Sequence, residues 1–487
     1  MRKRILLVQP KVGSWEFIQS TSMLPLALLS ISIYLDKDYD IKIIDQRLDP
    51  RWASTLKEEL GKGDVLCVGI TTMTGPQIGY ALEATKIVKG SSKIPVVWGG
   101  IHPSILPEQT ISHPLIDIVV AGEGEFAFRD LVHALERKEL YGNIQGVWTK
   151  ENGNQKGSMA EAPSNINELS GLPYHLVRLA DYIGFDRDGH KKFPVKTSRG
   201  CPYRCTFCHQ TSNYRKKWRA FSPDRVLEEI EMLRNEQGIR HFQILDDNFF
   251  VDANRAHEIL ERIAARRWKD TVFTINGARV TDIIRLKEET IKLLSDVGCY
   301  ELQIGLESGS QRVLDHMKKD ITLSQVFKAN ERLKRYKIPR YYELVSGFRD
   351  ETIADMGQTA QIILKLSDGD PNVFFSPLEC LTPYPGTEVC AQAVEAGMKF
   401  PDSLEGWSAY EWNKAKLPWL DARRKKFLES FHIFPTFISS EIKTIRSPFL
   451  KFAFKMYRPI ARLRVRTRFF SMPVEAAIFK FVTKLMS

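Results

Sequence analysis

A chain of 487 residues, 43% apolar and 26% charged, is long enough for two or three domains with full hydrophobic cores. Its seven cysteines are too few for a disulfide framework and point to a reducing cytoplasm, and the formal charge of +11 is concentrated at one end. No stretch reaches the ~18 consecutive apolar residues of a membrane-spanning helix. The apolar run Ile5–Val8 after Met1-Arg2-Lys3-Arg4 is too short for a signal peptide and stops at Gln9-Pro10 like a first buried strand.

Residues 1–140 alternate short β-branched runs with amphipathic segments. Strands are expected at Arg4–Gln9, Asp40–Asp45, Asp64–Ile70, Ile94–Trp98 and Ile116–Ala121, and helices at Leu24–Leu35, Trp52–Leu60, Pro76–Lys89 and Glu125–Glu136. Five such repeats predict a flavodoxin-like, doubly wound parallel sheet with its ligand outside the carboxyl ends of the strands. The loops there are Thr71-Thr72-Met73-Thr74-Gly75, Gly99-Gly100-Ile101-His102-Pro103 and Gly122-Glu123-Gly124-Glu125. Small residues admit a bulky ligand, and hydroxyls supply short hydrogen bonds.

Residues 141–192 are polar and rich in Asn, Gly and Pro, the composition of a linker with a small hairpin about Glu151-Asn152-Gly153-Asn154. A second βα series occupies 193–398. Its strands are expected at Pro194–Ser198, His241–Asp246, Val272–Asn276, Tyr300–Leu306, Tyr341–Ser346 and Asn372–Pro377. Helices fit Pro223–Asn235, Asn254–Ala265, Glu288–Asp296, Leu323–Lys334 and Ile353–Leu366, which makes a partial (β/α)6 barrel of TIM type. Residues 399–487 turn aromatic and basic. Trp407, Tyr410, Trp412 and Trp419 suit a lid, and 441–487 carries eleven Lys and Arg against Glu441 and Glu475. Such a helical basic tail suits an anionic membrane surface or packing on its own barrel; nucleic acid is the weakest of the three readings, because no RNA-binding module is present.

The most informative stretch is Arg199-Gly200-Cys201-Pro202-Tyr203-Arg204-Cys205-Thr206-Phe207-Cys208. Three thiolates spaced C-x3-C-x2-C on one loop can hold three corners of a 4Fe-4S cluster and leave the fourth iron open for a small chelating molecule. Zinc held by Cys201, Cys205, Cys208 and His209 is the competing reading. The spacing, with an aromatic residue before the last cysteine, resembles the radical S-adenosylmethionine (SAM) superfamily. Leu24-Pro25-Leu26-Ala27-Leu28-Leu29, the threonine loop, Trp98-Gly99-Gly100-Ile101-His102-Pro103 and Gly122-Glu123-Gly124-Glu125 are similar to the B12-binding domain that precedes many radical SAM domains.

That resemblance covers about residues 1–400 and implies a cobalamin-dependent radical SAM enzyme. Its cofactors would be a 4Fe-4S cluster on Cys201, Cys205 and Cys208, SAM and cobalamin. It implies reductive cleavage of SAM to a 5′-deoxyadenosyl radical and methylation of an unactivated carbon, with oxidative cyclisation or rearrangement, or a non-catalytic cobalamin or redox sensor, as alternatives. It places Phe207 near the adenine and Asp246, Asn276, Arg279 and Glu307 around the ribose and methionine parts of SAM. Cobalamin falls to Thr71, Thr72, Thr74, Gly99, Gly100, His102, Gly122 and Glu123.

Two departures bear on this. The Asp-x-His-x-x-Gly motif that supplies a cobalt-ligating histidine is absent, since Gln9-Pro10-Lys11-Val12-Gly13 follows the first strand. The loop that often reads Gly-Phe-Pro-Gly-Glu-Thr is here Gly347-Phe348-Arg349-Asp350-Glu351-Thr352. The expected partners are a small-molecule or lipid substrate, a flavodoxin- or ferredoxin-type electron donor and, through 441–487, the inner face of a membrane.

Overall fold

The computed structural model describes residues 2–13, 21–151, 154–210, 216–411, 416–439, 448–467, 474–475 and 478. They divide into two units: 1–185 with 384–386 and 399–414, and 186–383 with 387–398 and 415–487. The stretch expected as one carboxyl-terminal region is thus shared between them.

The first unit is built on a sheet of β1 (Arg4–Gln9), β2 (Asp40–Asp45), β3 (Val65–Thr71), β4 (Val96–Gly99), β5 (Ile118–Val120), β6 (Val147–Glu151) and β7 (Asn154–Gly157), in the order β2-β1-β3-β4-β5-β6-β7. The first five strands are parallel, and β6 and β7 add an antiparallel pair. The hairpin expected in the linker therefore extends this sheet; its turn, Asn152-Gly153, lies outside the described residues. Connecting helices are α1 (Leu26–Ser32), α2 (Trp52–Gly61), α3 (Gln77–Ser91), α4 (Ile101–Ile105), α5 (Pro107–Ser112) and α6 (Gly124–Arg137).

Because successive side chains point to opposite faces, each strand feeds two cores. Leu6, Val8, Val68, Ile70 and Trp98 pack with Ile78, Leu82 and Val88 on one side, while Ile5, Leu7, Cys67 and Val97 pack with Leu28, Phe128 and Leu131 on the other. This is why the strands read as unbroken apolar runs rather than alternating ones. The Trp98 indole, wholly buried, donates its Nε1 hydrogen to Thr85 Oγ1 at 2.9 Å.

In the second unit six parallel strands follow one another through helical crossovers. They are β8 (Lys191–Val195), β9 (His241–Ile244), β10 (Val272–Arg279), β11 (Cys299–Glu307), β12 (Arg340–Ser346) and β13 (Val373–Cys380), paired in chain order. This is the partial barrel read from the sequence. The helices used below are α7 (Pro223–Glu236), α8 (Ala253–Ala265), α9 (Val280–Arg285), α10 (Glu288–Asp296), α11 (Gln311–His316), α12 (Leu323–Arg335) and α13 (Ile353–Leu366). The starts of α7, α8, α12 and α13 are set by capping side chains. Ser222 accepts from Arg225 N, Asp252 from Asn254 N and Arg255 N, and Thr322 and Thr352 form capping boxes with Gln325 and Asp355.

Candidate active site

The cysteine loop leaves the end of β8 and is pinned at both ends and in the middle. Thr197 and Ser198 each donate a backbone N–H and a hydroxyl to Asp246, at 2.6 to 3.0 Å. Gly200 N donates to Asp247 Oδ2 at 2.8 Å. Thr206 N bonds the Met317 carbonyl at 3.0 Å, and Val389 N bonds the Thr206 carbonyl at 3.1 Å. Asp246, expected beside SAM, thus spends both carboxylate oxygens on holding the first two strand ends together. Cys205 is buried, whereas Cys201 and Cys208 are half-buried. Burial pushes the Cys208 thiol up to about 12 and raises that of Cys201.

Around the loop the inner ends of β10 and β11 bring up charge. Arg279, buried at the end of β10, donates Nη1 to Cys205 Sγ at 3.2 Å and Nη2 to the Lys319 carbonyl. Its guanidinium carbon stands 3.7 Å from the centre of the Tyr203 ring. Glu307, ending β11 with a left-handed φ of 67°, accepts from Lys319 Nζ at 2.5 Å, both side chains being buried. Gly305 lies beneath them, where a Cβ would stand 2.5 Å from both Glu307 Oε1 and Lys319 Nζ and push the pair aside. Asn276 Oδ1 is buried with no hydrogen-bond partner, free to receive a donor from a ligand. Phe207 meets Phe348 edge to face at 5.9 Å.

Lys319 carries no motif and was not legible in the sequence as a site residue. Glu343 was not either. On β12, Arg340, Tyr342 and Leu344 are buried, with Arg340 and Tyr342 bonded to Asn330 of α12; Tyr341, Glu343 and Val345 therefore face the inner side of the sheet. Enclosure by protein and the neighbouring negative Glu307 push the Glu343 carboxyl up to about 7, although solvent reaches it. A substrate resting on this face should show turnover that varies between pH 6 and 8, as Glu343 gains its charge. Glu343→Gln is expected to flatten that profile, and an unaltered profile would remove Glu343 from the substrate face.

The loop Gly347–Thr352, without its usual proline and glycine, is held by Glu351. Its Oε2 accepts from Ser346 Oγ (2.8 Å), Gly347 N (2.6 Å) and Phe348 N (3.3 Å).

In the first unit the loops after β3, β4 and β5 are laced together. Thr72 N bonds the Gly99 carbonyl at 2.9 Å, His102 N bonds the Thr72 carbonyl at 3.2 Å, and Thr74 Oγ1 meets His102 Nδ1 at 3.0 Å. Ser104 Oγ donates to the Gly100 carbonyl and accepts from Gly122 N; Gln77 accepts from Met73 N and donates to the Pro10 carbonyl. Gly100, with φ of 98°, lies so close that a Cβ would stand 2.7 Å from the Thr72 carbonyl oxygen and 2.8 Å from Thr71 Oγ1. Glu123 caps α6. The Gly99–Pro103 segment read as a loop is helical from Ile101, because α4 turns the chain immediately past Gly100.

His102 is fully buried, its Nε2 has no partner, and burial lowers its pKa to about 4, so the ring is neutral. Its other neighbour is Trp407, edge to face at 5.7 Å. Of the four aromatic residues expected in a lid, Trp407 is buried in this unit, donating Nε1 to Gln109 Oε1 at 2.7 Å, and Tyr410 packs on it. Trp419 belongs to the second unit and donates to the Gly347 carbonyl at 2.9 Å; Trp412 lies outside the described residues.

A glycine-lined mouth on a doubly wound sheet and a three-cysteine loop at the mouth of a half-barrel define a protein class, and comparison with known proteins gives the same one. Residues 20–132 match the B12 binding domain and 195–363 the radical SAM superfamily. An uncharacterized methyltransferase of Pyrococcus horikoshii is 31% identical over 80% of this chain and 83% of its own. An anaerobic magnesium-protoporphyrin IX monomethyl ester cyclase of Cereibacter sphaeroides is 29% identical over 66% of this chain and 52% of its own. Among solved structures, the cobalamin-dependent S-adenosylmethionine radical enzyme OxsB, with aqua-cobalamin and S-adenosylmethionine bound, superposes with a TM-score of 0.74 at 17% identity, over 96% of this chain and 72% of that one.

The chain belongs to the cobalamin-dependent radical SAM enzymes. Its cofactors are a 4Fe-4S cluster, SAM and cobalamin, and methyl transfer is the reaction class that its relatives support. The residues present fit those groups. Three sulfurs share one pinned loop with a cation already bonded to one of them, and at the mouth of the first unit the buried His102 keeps an unpartnered Nε2.

Proposed function

We propose that this enzyme methylates an unactivated carbon of a hydrophobic, lipid-like substrate at a membrane surface. The observation that carries the lipid part is the helix α14 (Pro448–Arg466). Phe452, Met456, Ile460 and Leu463 fall along one face of it and are each more than half exposed, while Phe454, Ala461 and Val465 are buried on the other. Its sequence holds six Lys and Arg and no carboxylate. An exposed apolar stripe bordered by cations is the pattern of a helix lying in an anionic interface. No helix among the described residues is long and apolar enough to cross a membrane. The rest of 441–487 lies outside the described residues except 474–475, 478 and Thr467.

When bound, the cluster, SAM and cobalamin supply one-electron cleavage and a methyl donor. The chain's own contribution begins with Asp246 and Asp247, which fix the loop that carries Cys201, Cys205 and Cys208. Asn276 and Glu307 offer acceptors to the polar groups of SAM, with Phe207 beside its adenine. Thr71, Thr72, Thr74, Gly99, Gly100, Gly122 and Glu123 form the cobalamin cradle. His102, tied to Thr74 and packed on Trp407, acts in that cradle as a neutral wall rather than as a cobalt ligand.

The test is an anaerobic reaction of the reconstituted enzyme with SAM, methylcobalamin, a strong reductant and a lipid extract, in which 5′-deoxyadenosine and S-adenosylhomocysteine are measured together. Both rising in step, with a lipid one methyl group heavier, is the expected result. Deoxyadenosine without S-adenosylhomocysteine would replace methylation by a cyclisation or rearrangement, the chemistry named for the Cereibacter sphaeroides relative. Equal binding of wild type and Met456→Glu to anionic vesicles would remove the membrane surface.

A further inference from the structure

We propose that Arg279 sets the reduction potential of the cluster through its hydrogen bond to the Cys205 sulfur, and that it is not primarily a contact for SAM. This rests on the reading that the three cysteines hold the cluster. The guanidinium is buried, and burying a charge is unfavourable unless an opposite charge and hydrogen bonds replace water. Among the described residues Arg279 hydrogen-bonds no carboxylate, although Asp282 is near enough to attract it. Glu307, the carboxylate across the site, is taken by Lys319 at 2.5 Å. Asp282 accepts from Tyr203 Oη, Asn248 Nδ2 and Arg285 instead.

What remains to Arg279 is a backbone carbonyl, the face of the Tyr203 ring and Cys205 Sγ. Only the last can carry a full negative charge, and it does so as an iron-bound thiolate. The arrangement is also rigid. Tyr203 lies within the cysteine loop, its ring is oriented by a 2.8 Å hydrogen bond to Asp282, and the guanidinium rests on that ring at 3.7 Å. Motion of the loop therefore moves the sulfur and its donor together.

The electronic consequence has a definite sign. Reduction adds one electron to the cluster and makes its sulfurs more negative. A cationic N–H donor at one sulfur stabilises the reduced form more than the oxidised form and raises the potential. Removing the donor makes reduction by an external one-electron donor harder without removing a cluster ligand.

The experiment is a redox titration of the reconstituted holoenzyme, monitored by the electron paramagnetic resonance of the reduced cluster, alongside SAM binding and iron content. For Arg279→Gln the equilibrium for reduction is expected to fall tenfold or more, about 59 mV for one electron, with Arg279→Lys between it and wild type and SAM affinity essentially unchanged. Tyr203→Leu, which removes the ring beneath the guanidinium, is expected to shift the potential in the same direction by less. It provides the test if Arg279→Gln fails to accumulate. An unchanged potential at full iron content would overturn the proposal, and so would weakened SAM binding at unchanged potential. Absence of a cluster from the wild-type protein would instead overturn the cysteine assignment beneath it.

Discussion

Replacing Lys319 by methionine is expected to destabilise the half-barrel by about 3–5 kcal/mol, the usual cost of removing one partner from a buried ion pair. Lys319 and Glu307 are buried, their charged atoms 2.5 Å apart, and Gly305 leaves no side chain to fill the space below them. Without the ammonium, Glu307 must either hold an uncompensated carboxylate or take up a proton. It does this on a residue whose φ of 67° already stores backbone strain. The thermal midpoint of the variant should fall by roughly ten degrees. The double variant Lys319→Met, Glu307→Gln should recover part of that loss, because two neutral groups carry no unpaired charge. A fall of less than two degrees would mean that solvent screens the pair, contrary to the geometry.

The second large effect is a pH dependence that belongs to Glu351. Burial raises its carboxyl from the ordinary 4.5 to about 7, even though Oε2 accepts from Ser346, Gly347 and Phe348; Oε1 has no partner, and Arg424 bonds the backbone carbonyl of Glu351 rather than its carboxylate. A group with a raised folded pKa binds more protons when folded. Its stability contribution is complete below about pH 4.5 and is lost as pH rises through about 7. That difference corresponds to about 3 kcal/mol at most. Relative to Glu351→Gln, the wild-type midpoint in urea should therefore drop between pH 5 and 7.5, while Glu343 and the buried His102 and His241 add the same slopes to both proteins. Carboxylates held low by cations, such as Asp270 between Arg234 and Arg240, act in the opposite direction but only at much lower pH. An unchanged slope in Glu351→Gln would show that the carboxylate is ionised throughout. Glu351→Ala, by contrast, leaves two amides and a hydroxyl unpaired and should weaken the protein at every pH.

Glu351 also explains how the loop tolerates the loss of proline and glycine from the usual motif. The turn is closed by a side chain instead of by a constrained backbone, and Thr352 then starts α13 with a capping box. A motif that looks broken as a string of letters keeps its hydrogen bonds.

Much of the architecture was legible without coordinates. β1 and β2, α10 and α13 fall where periodicity places them, because long apolar runs and capping residues are local signals. The cysteine loop was legible for a related reason: three thiols lie within eight residues, so spacing alone constrains their geometry. The glycine loops were legible because a left-handed φ or a bare backbone leaves a mark in the sequence itself, as at Gly100.

What the tertiary structure decided is which polar group meets which. Asp246, Asn276, Arg279 and Glu307 all stand at strand ends, and the sequence made them equivalent candidates for SAM. Only the fold shows that Asp246 is consumed by Thr197 and Ser198, that Glu307 is shared with Lys319, that Arg279 turns to a sulfur and that the oxygen of Asn276 is left over. Lys319 and Ser104 sit in ordinary surroundings along the chain, and Trp407 reaches its partner Gln109 across nearly three hundred residues. Hydrogen-bond partners and counter-ions at such separations are set by how strands and crossovers stack. That arrangement depends on the whole core, so no local spacing encodes it.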